Sequence, residues 1–366
     1  MLEAKGRPLP FSFFPVTRTN RRYGLYDTVF AVTPWTVMGA AIANGIPKDQ
    51  QTEAFAFLEQ AEDFYAAASS GISTNPLLTY YAFLNLAKVL IRARGYSDSL
   101  DRAMHGLKEE TAAGGTELED SVVQTKDAGA AVNVFPELIE RLGYPRPVNN
   151  DSYRIKELLP QIVVGHRIWR ESKRGLTERF VALRRIEFVD DRDNNNLWLR
   201  LFVGKGDLSR YEITRKRLLE EGGLAGAFHE VVTNESDAEG ALVCLEQDAA
   251  LAYTGRPTDV VADLVEILKP RLWRIVSSIP GSGYRRYYLY LHPANEGTHI
   301  PQLAAMWALT FYFGSVVRYR PHLFDEILRG PNGAFVSEFI SSQPEQMLYL
   351  FASELCQREI ARPAIV

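Results

Sequence analysis

Cysteine is nearly missing from this chain. Its 366 residues hold two, Cys244 and Cys356. Two cysteines build no disulfide framework, and this pair is not spaced as zinc ligands, so a reducing cytoplasm is the expected compartment. Long apolar runs are missing too. No stretch approaches the roughly 18 consecutive apolar residues of a membrane-spanning helix. The N-terminus, with Glu3, Lys5 and Arg7, lacks a signal-peptide core, so no membrane association is expected. Neither sign of charge dominates: 41 Lys and Arg face 45 Asp and Glu, a formal net charge of −4. That balance argues against a protein that coats nucleic acid with its whole surface and leaves room for local basic patches.

The familiar catalytic motifs are absent as well. Gly204-Lys205-Gly206 has neither the spacing nor the following hydroxyl of a phosphate loop, and Pro280-Gly281-Ser282-Gly283 reads as a turn before a strand. No G-x-S-x-G elbow and no H-E-x-x-H pair occurs. Of the six histidines (His105, His166, His229, His292, His299 and His322), no two stand three or four apart on a helix. His292 and His299, with Asn295 and Glu296 between them, read as an exposed loop rather than a metal site. No metal and no cofactor is expected.

What is present is helical periodicity at both ends of the chain and strand periodicity in the middle. Hydrophobic residues make up 46% of the chain, enough for a sizeable core. Residues 1–50 begin as a Pro-, Arg- and aromatic-rich arm (Pro8, Pro10, Phe11, Phe13, Phe14, Arg18, Arg21, Arg22) expected to pack its rings on the body. In residues 51–175, Ala54, Leu58, Ala61, Tyr65 and Ala68 form one helical stripe, and Leu77, Tyr80, Leu84, Ala87 and Ile91 form a second. Asn75-Pro76 suits the start of the second helix and Gly95 its end, which makes an αα-hairpin. Residues 109–130 read as a polar surface loop. Phe135–Leu142 and Tyr153–Ser172 read as further helices. Residues 176–298 read as an α+β region with an antiparallel sheet: Phe180–Val189 and Leu197–Val203 flank a turn-rich Asp/Asn segment, and Ala241–Glu246 and Tyr284–Leu291 are further strand candidates, with a helix from Asp259 to about Leu268. Residues 299–366 return to helix, with Leu303, Trp307, Phe311, Gly314 and Val317 on one face, and are expected to pack on the N-terminal helices.

Two polar clusters stand out. The second hairpin helix carries Tyr81, Asn85, Lys88 and Arg92 at steps of four, three and four, a polar face able to line a groove or a buried seam. Near the C-terminus, Arg318-Tyr319-Arg320-Pro321-His322 gathers two guanidiniums and an imidazole at a helix end, a grouping suited to gripping phosphate or carboxylate, or to complementing the helix dipole with ion pairs to Asp325 and Glu326. Arg18–Arg22, Arg184-Arg185 and Arg318–Arg320 are the basic clusters of a mildly acidic chain.

These segments also carry a resemblance. Asn75-Pro76-Leu77-Leu78 with Tyr80-Tyr81-Ala82-Phe83-Leu84-Asn85-Leu86-Ala87-Lys88, then His105-Gly106-Leu107, resembles the N-terminal signature of the YaaC-like bacterial proteins. Pro34-Trp35, Leu158-Leu159-Pro160 and Arg318-Tyr319-Arg320-Pro321 fit the same pattern, which implies no particular activity. The hairpin with its Tyr-Tyr-Ala helix and downstream His also resembles HEPN helical domains. The periodicities give a predominantly helical α+β fold, and that likeness implies that its N- and C-terminal helices form a HEPN-like bundle around the central β-containing region. It further implies a non-enzymatic module binding a partner protein, a second copy, or an anionic nucleotide or nucleic acid through Tyr81, Asn85, Lys88, Arg92, Arg318 and Arg320. The alternative it implies is a metal-independent ribonuclease using Arg102 with His105, or Arg318 with His322. Both pairs depart from the usual spacing, in which four to six residues separate the Arg and the His.

Overall fold

The structure is a computed structural model. It describes residues 1–4, 6–15, 28–69, 75–110, 118, 121–127, 129, 131–163, 166, 170, 177–278, 287–294, 296–297 and 299–363. The fold is α+β. The chain forms two compact units: a sheet unit of Met1–Phe30, Leu176–Glu296 and Gln357–Val366, and a helical unit of Ala31–Gly175 and Gly297–Cys356. Among the described residues no helix is long and apolar enough to cross a membrane.

In chain order the helical unit opens with α1 (Pro34–Gly45), α2 (Lys48–Ala68), α3 (Asn75–Ala93), α4 (Val134–Arg141) and the single turn α5 (Ile155–Leu158). The sheet unit carries α6 (Lys205–Arg210), α7 (Arg215–Glu221) and α8 (Val261–Leu268). The helical unit then resumes with α9 (Gln302–Tyr319), α10 (Pro321–Arg329) and α11 (Gly333–Cys356).

Helices α2 and α3 are the hairpin whose two stripes the sequence displays. Asn75 is the first described helical residue of α3, and its Oδ1 accepts a hydrogen bond from the Thr79 hydroxyl at 3.0 Å rather than from a backbone amide. Pro76 follows in the first turn, where a missing N–H has no helical partner to lose. The other end closes with Gly95 at φ +86°. Its amide donates to the Arg92 carbonyl at 2.9 Å and that of Tyr96 to the Ile91 carbonyl at 3.2 Å, the paired bonds of a Schellman ending. Helix α3 is the hub of the unit, packing against α2, α4, α9 and α11. Such a helix is apolar on more than one face, and Phe83, Leu86, Ala87, Val89, Leu90 and Ile91 are all buried.

Part of the expected loop at 109–130 is sheet. Strands β4 (Leu107–Glu110), β5 (Val122–Thr125) and β6 (Ser152–Arg154) form a three-stranded antiparallel sheet. Most of residues 111–120, including the Ala/Gly-rich stretch, lie outside the described residues. The helix expected over Tyr153–Ser172 is likewise corrected: β6, α5 and a 3-10 turn at Leu159–Gln161 replace its start. Pro160 removes an amide and disfavours helix before it, and Ile162 is extended. His166 and Arg170 are helical.

In the sheet unit, β7 (Phe180–Asp191) and β8 (Asn196–Gly204) pair antiparallel, with Phe188 opposite Leu199 and Ile186 opposite Leu201. In the turn between them, Asp191 Oδ1 accepts the amides of Asp193 and Asn194 at 3.2 and 3.3 Å, and Asn195 takes φ +53°. Around this pair the sheet runs β10 (Ser236–Asp237), β11 (Gly240–Gln247), β8, β7, β15 (Tyr287–Tyr290), β13 (Leu272–Arg274), with β9 (Phe228–Val231) on β11 and β12 (Leu251–Ala252) on β8. Leu197, Leu199, Leu201 and Val203 share one buried face with Val181, Leu183, Leu245, Leu264 and Leu268. Residue 284, the start of the expected fourth strand, lies outside the described residues.

The described ends of the chain are strands rather than helices. β1 (Glu3–Ala4) pairs β2 (Arg7–Pro8), and β16 (Ile360–Pro363) runs parallel to both β3 (Val29–Phe30) and β14 (Ser277–Ser278). In the N-terminal segment Phe13 and Phe14 are buried, Phe11 stacks on Phe188 at 6.1 Å, and Phe13 stacks on Tyr287 at 5.3 Å. Arg18, Arg21 and Arg22 lie outside the described residues.

Candidate functional site

One cavity brings part of both polar clusters together. It lies within the helical unit, holds about 480 Å³, and is walled by α3, by the His105–Glu109 segment leading into β4, and by α9. Leu77, Tyr80, Tyr81 and Leu84 come from α3; Phe311, Gly314, Ser315 and Arg318 come from α9, with Tyr319 and Arg320 at its end.

The two helices meet closely because Gly314 has no side chain. A Cβ there would lie 3.2 Å from both the Pro76 carbonyl oxygen and Tyr80 Cβ, tighter than ordinary packing. The third wall depends on Gly106, at φ +76°. Carbonyls of residues 104 and 105 accept the Val134 and Phe135 amides at 2.8 and 3.1 Å. The backbone around His105 therefore satisfies the first amides of α4, for which Asn133 provides no side-chain cap.

Aromatic rings form the interior. Tyr80 and His105 each lie 5.4 Å from Phe311, and Tyr80 lies 5.5 Å from Tyr81. Two buried polar atoms of lining residues, Tyr80 Oη on α3 and His105 Nδ1 on the segment before β4, have no hydrogen-bond partner among the described residues. An unsatisfied buried group costs about 1–3 kcal/mol, so two in the lining of one cavity are costly unless something pairs them. Burial, and then the neighbouring Tyr81, raise the Tyr80 pKa, so this hydroxyl keeps its proton.

The rim is cationic. Arg318 is exposed and donates through Nη1 to the Tyr81 hydroxyl at 2.8 Å, with its guanidinium 5.0 Å from the Tyr319 ring. No carboxylate among the described residues pairs with it. Arg320 is ion-paired with Glu109, whose side chain is 8% exposed. Lys108 is exposed and pairs with Glu110 at 2.6 Å. The unbalanced positive charge at the opening therefore belongs to Arg318.

His105 is held in the neutral form. Burial lowers its pKa, and the Arg318 charge lowers it further. Its folded pKa lies below the unfolded value of about 6.5, so the unfolded chain binds more protons just below that pH. The stability contributed by neutral His105 is full above pH 6.5 and is lost as pH falls through the folded pKa. The wild-type chain should thus lose more stability between pH 7 and pH 5 than a His105→Gln variant. Urea midpoints at pH 7.5, 6.5 and 5.5 check this; parallel profiles would contradict it.

The remaining sequence candidates lie elsewhere. Asn85 is buried and donates to Gln60 of α2 at 2.8 Å. Arg92 is buried, donates through Nε to Glu53 of α2 at 2.6 Å, and reaches the Tyr96 carbonyl at 2.8 Å. Lys88 lies 4.7 Å above the Phe57 ring, and burial lowers its pKa despite Glu53 and Asp101. These three face α2 and make a polar seam inside the hairpin. Arg102 and His322 are exposed and do not line the cavity. Asp325 pairs with Arg329 rather than with the Arg318–His322 cluster. In the sheet unit, Arg184 is matched by Asp207 and Glu239, and Arg185 by Glu187 and Glu235, so that basic cluster is neutralised. Glu296, of the His292–His299 loop, is paired with Arg179. Tyr80, Glu109 and Phe311 belong to the site and were not singled out in the sequence as polar or aromatic site residues. Phe311 reads there only as a member of an apolar stripe, and Tyr80 as a member of a stripe and of the family signature.

No curated protein and no solved structure is significantly similar to the chain. One family model, described as YaaC-like Protein, matches residues 33–355, and the chain belongs to that family.

Proposed function

We propose that the helical unit is a non-catalytic binding module and that the cavity between α3 and α9 takes a small anionic ligand. The observation that carries this reading is Arg318: a guanidinium at a cavity mouth, with no carboxylate counterpart among the described residues, beside two lining residues that each hold an unpartnered buried polar atom. Pockets of this volume suit small molecules, and a few polar groups over an aromatic interior fix a ligand's orientation. Ligand binding to the native state raises stability by about 2.7 kcal/mol at a hundredfold excess over the dissociation constant. Small anions with an apolar or planar body should therefore raise the thermal midpoint of the wild-type chain and leave Arg318→Glu unmoved. Equal shifts in both proteins would remove Arg318 from the site.

One observation favours a second reading, a HEPN-like metal-independent ribonuclease. His105 and Arg318 line the same cavity, although far apart in sequence, and His105 is held unprotonated. An unprotonated imidazole serves as a general base and a guanidinium stabilises a developing phosphorane charge. Among the described residues the cavity offers no second imidazole to protonate the leaving group, so binding is the preferred reading. Incubation with RNA in EDTA decides between them: cleavage by the wild type that His105→Ala abolishes establishes the enzyme.

A further inference from the structure

Resting on the reading of this cavity as an anion-binding site, we propose that its ligand is a nucleoside monophosphate, with the base inside against Tyr80, His105 and Phe311 and the phosphate at Arg318. Three features narrow the ligand to this class. The first is charge. Arg318 is the unbalanced cation of the rim, whereas Arg320 is already matched by Glu109. The site thus answers one compact anionic group. A triphosphate would bring several more charges to a rim that also holds the Glu109 carboxylate.

The second feature is the shape and chemistry of the interior. The rings of Tyr80, Phe311 and His105 lie within 5.4 Å of one another in successive pairs, with Leu77 and Leu84 beside them. Flat aromatic ligands stack on such walls. The third feature separates a nucleobase from an acyl chain or a plain aromatic acid. Tyr80 Oη donates a proton, and neutral His105 offers a donor or an acceptor at Nδ1 according to its tautomer. A base edge carries donors and acceptors in one plane and pairs with both. A hydrocarbon would leave both atoms unpaired and gain less. The polarity of the cavity sets the direction of binding: Tyr80 is 5% exposed, at the interior, and Arg318 is exposed at the mouth.

The test is calorimetric titration of the full chain at low salt with AMP, GMP, CMP and UMP. The four matching nucleosides, ribose 5-phosphate, decanoate and a short single-stranded RNA are the comparison probes. At least one nucleoside monophosphate is expected to bind about tenfold or more tighter than its nucleoside and than ribose 5-phosphate. Arg318→Ala should erase the advantage of nucleotide over nucleoside. Tyr80→Phe should weaken nucleotide and nucleoside alike, while the unliganded variant unfolds at the same midpoint or a higher one. A purely structural Tyr80 hydroxyl would leave ligand affinity unchanged. Arg318-dependent binding of decanoate or ribose 5-phosphate without preference for a nucleotide overturns the nucleotide assignment and keeps the anion site. Binding of the RNA alone replaces the monophosphate with a strand. No Arg318-dependent binding of any of these anions overturns both proposals.

Discussion

Replacing Glu359 with alanine should cost the sheet unit about 3–5 kcal/mol, the expected result of stranding a buried charge. Glu359 and Arg274 are each 1% exposed and are paired with each other. The same carboxylate accepts the Tyr287 hydroxyl at 2.7 Å, the Phe13 amide at 3.1 Å and the Ser12 hydroxyl at 3.2 Å. Three separate stretches of chain, around residues 12, 274–287 and 359, are thus tied through one side chain. The Arg274 guanidinium also lies 5.3 and 5.4 Å from the Phe13 and Phe14 rings. Without Glu359, that guanidinium stays out of water and loses this carboxylate, and three neutral donors lose this acceptor. Glu359→Gln, which keeps the shape and an acceptor oxygen, should lose less. Combining Glu359→Ala with Arg274→Met should cost less than the two single losses added, because no charge is left stranded. Lys216→Ala, at an exposed pair with Glu220, should fall within about 0.5 kcal/mol of wild type. Urea unfolding measures each loss, and hydrogen exchange should place the Glu359→Ala effect in β3, β14 and β16. A loss under about 1 kcal/mol would show the cluster to be dispensable.

That cluster also marks where sequence reasoning ends. The α2–α3 hairpin is legible because its information is local: apolar spacing, Asn75-Pro76 at one end and Gly95 at the other. The β7–β8 hairpin is legible for the same reason. The short strands β4, β5 and β6 are not, since strands of three or four residues become visible only when partners some fifteen and thirty residues away supply the hydrogen bonds. β16 is hidden likewise, its parallel partners lying near residues 29 and 277.

The candidate site divides along the same line. Tyr81, Asn85, Lys88 and Arg92 do share a helix face, as their spacing says. That face spans about 16 Å of helix at 1.5 Å per residue, too long for one small cavity. Its C-terminal three members meet Gln60, Phe57 and Glu53 of α2. Tyr81, near the start of α3, lies beside Phe64 of α2 and reaches Arg318 with its hydroxyl. The Arg318–His322 cluster splits where Arg320 leaves helical geometry at φ −143°, ψ 60° and α10 begins at Pro321, taking His322 to the surface. Spacing along a helix says which residues share a face; which helix covers that face is a tertiary fact.

The second large effect is expected at Gly106, where fold and site depend on the same atom being absent. At φ +76° an alanine enters the left-handed region, which costs about 1–2 kcal/mol for a residue with a Cβ. That Cβ would also lie 2.7 Å from Pro136 Cδ and 3.1 Å from both Asn133 Cβ and the Phe135 amide nitrogen. Pro136 is a ring fixed in the first turn of α4, so the overlap is relieved only by moving α4 or the 104–107 segment. Overpacking of this kind costs about 1–3 kcal/mol. The two effects together give about 2–5 kcal/mol for Gly106→Ala. Movement of the segment also shifts His105 and the carbonyls that receive the first amides of α4, so ligand affinity at the cavity should fall with stability. Gly95→Ala is the matched comparison: φ is +86° there too, yet nothing lies within 4 Å of the added Cβ. It should show the backbone cost alone, about 1–2 kcal/mol, and leave the cavity unchanged. Denaturant midpoints of the two variants, read beside ligand titrations, separate the contributions. If Gly106→Ala loses no more stability than Gly95→Ala, the crowding against α4 does not hold His105 in place.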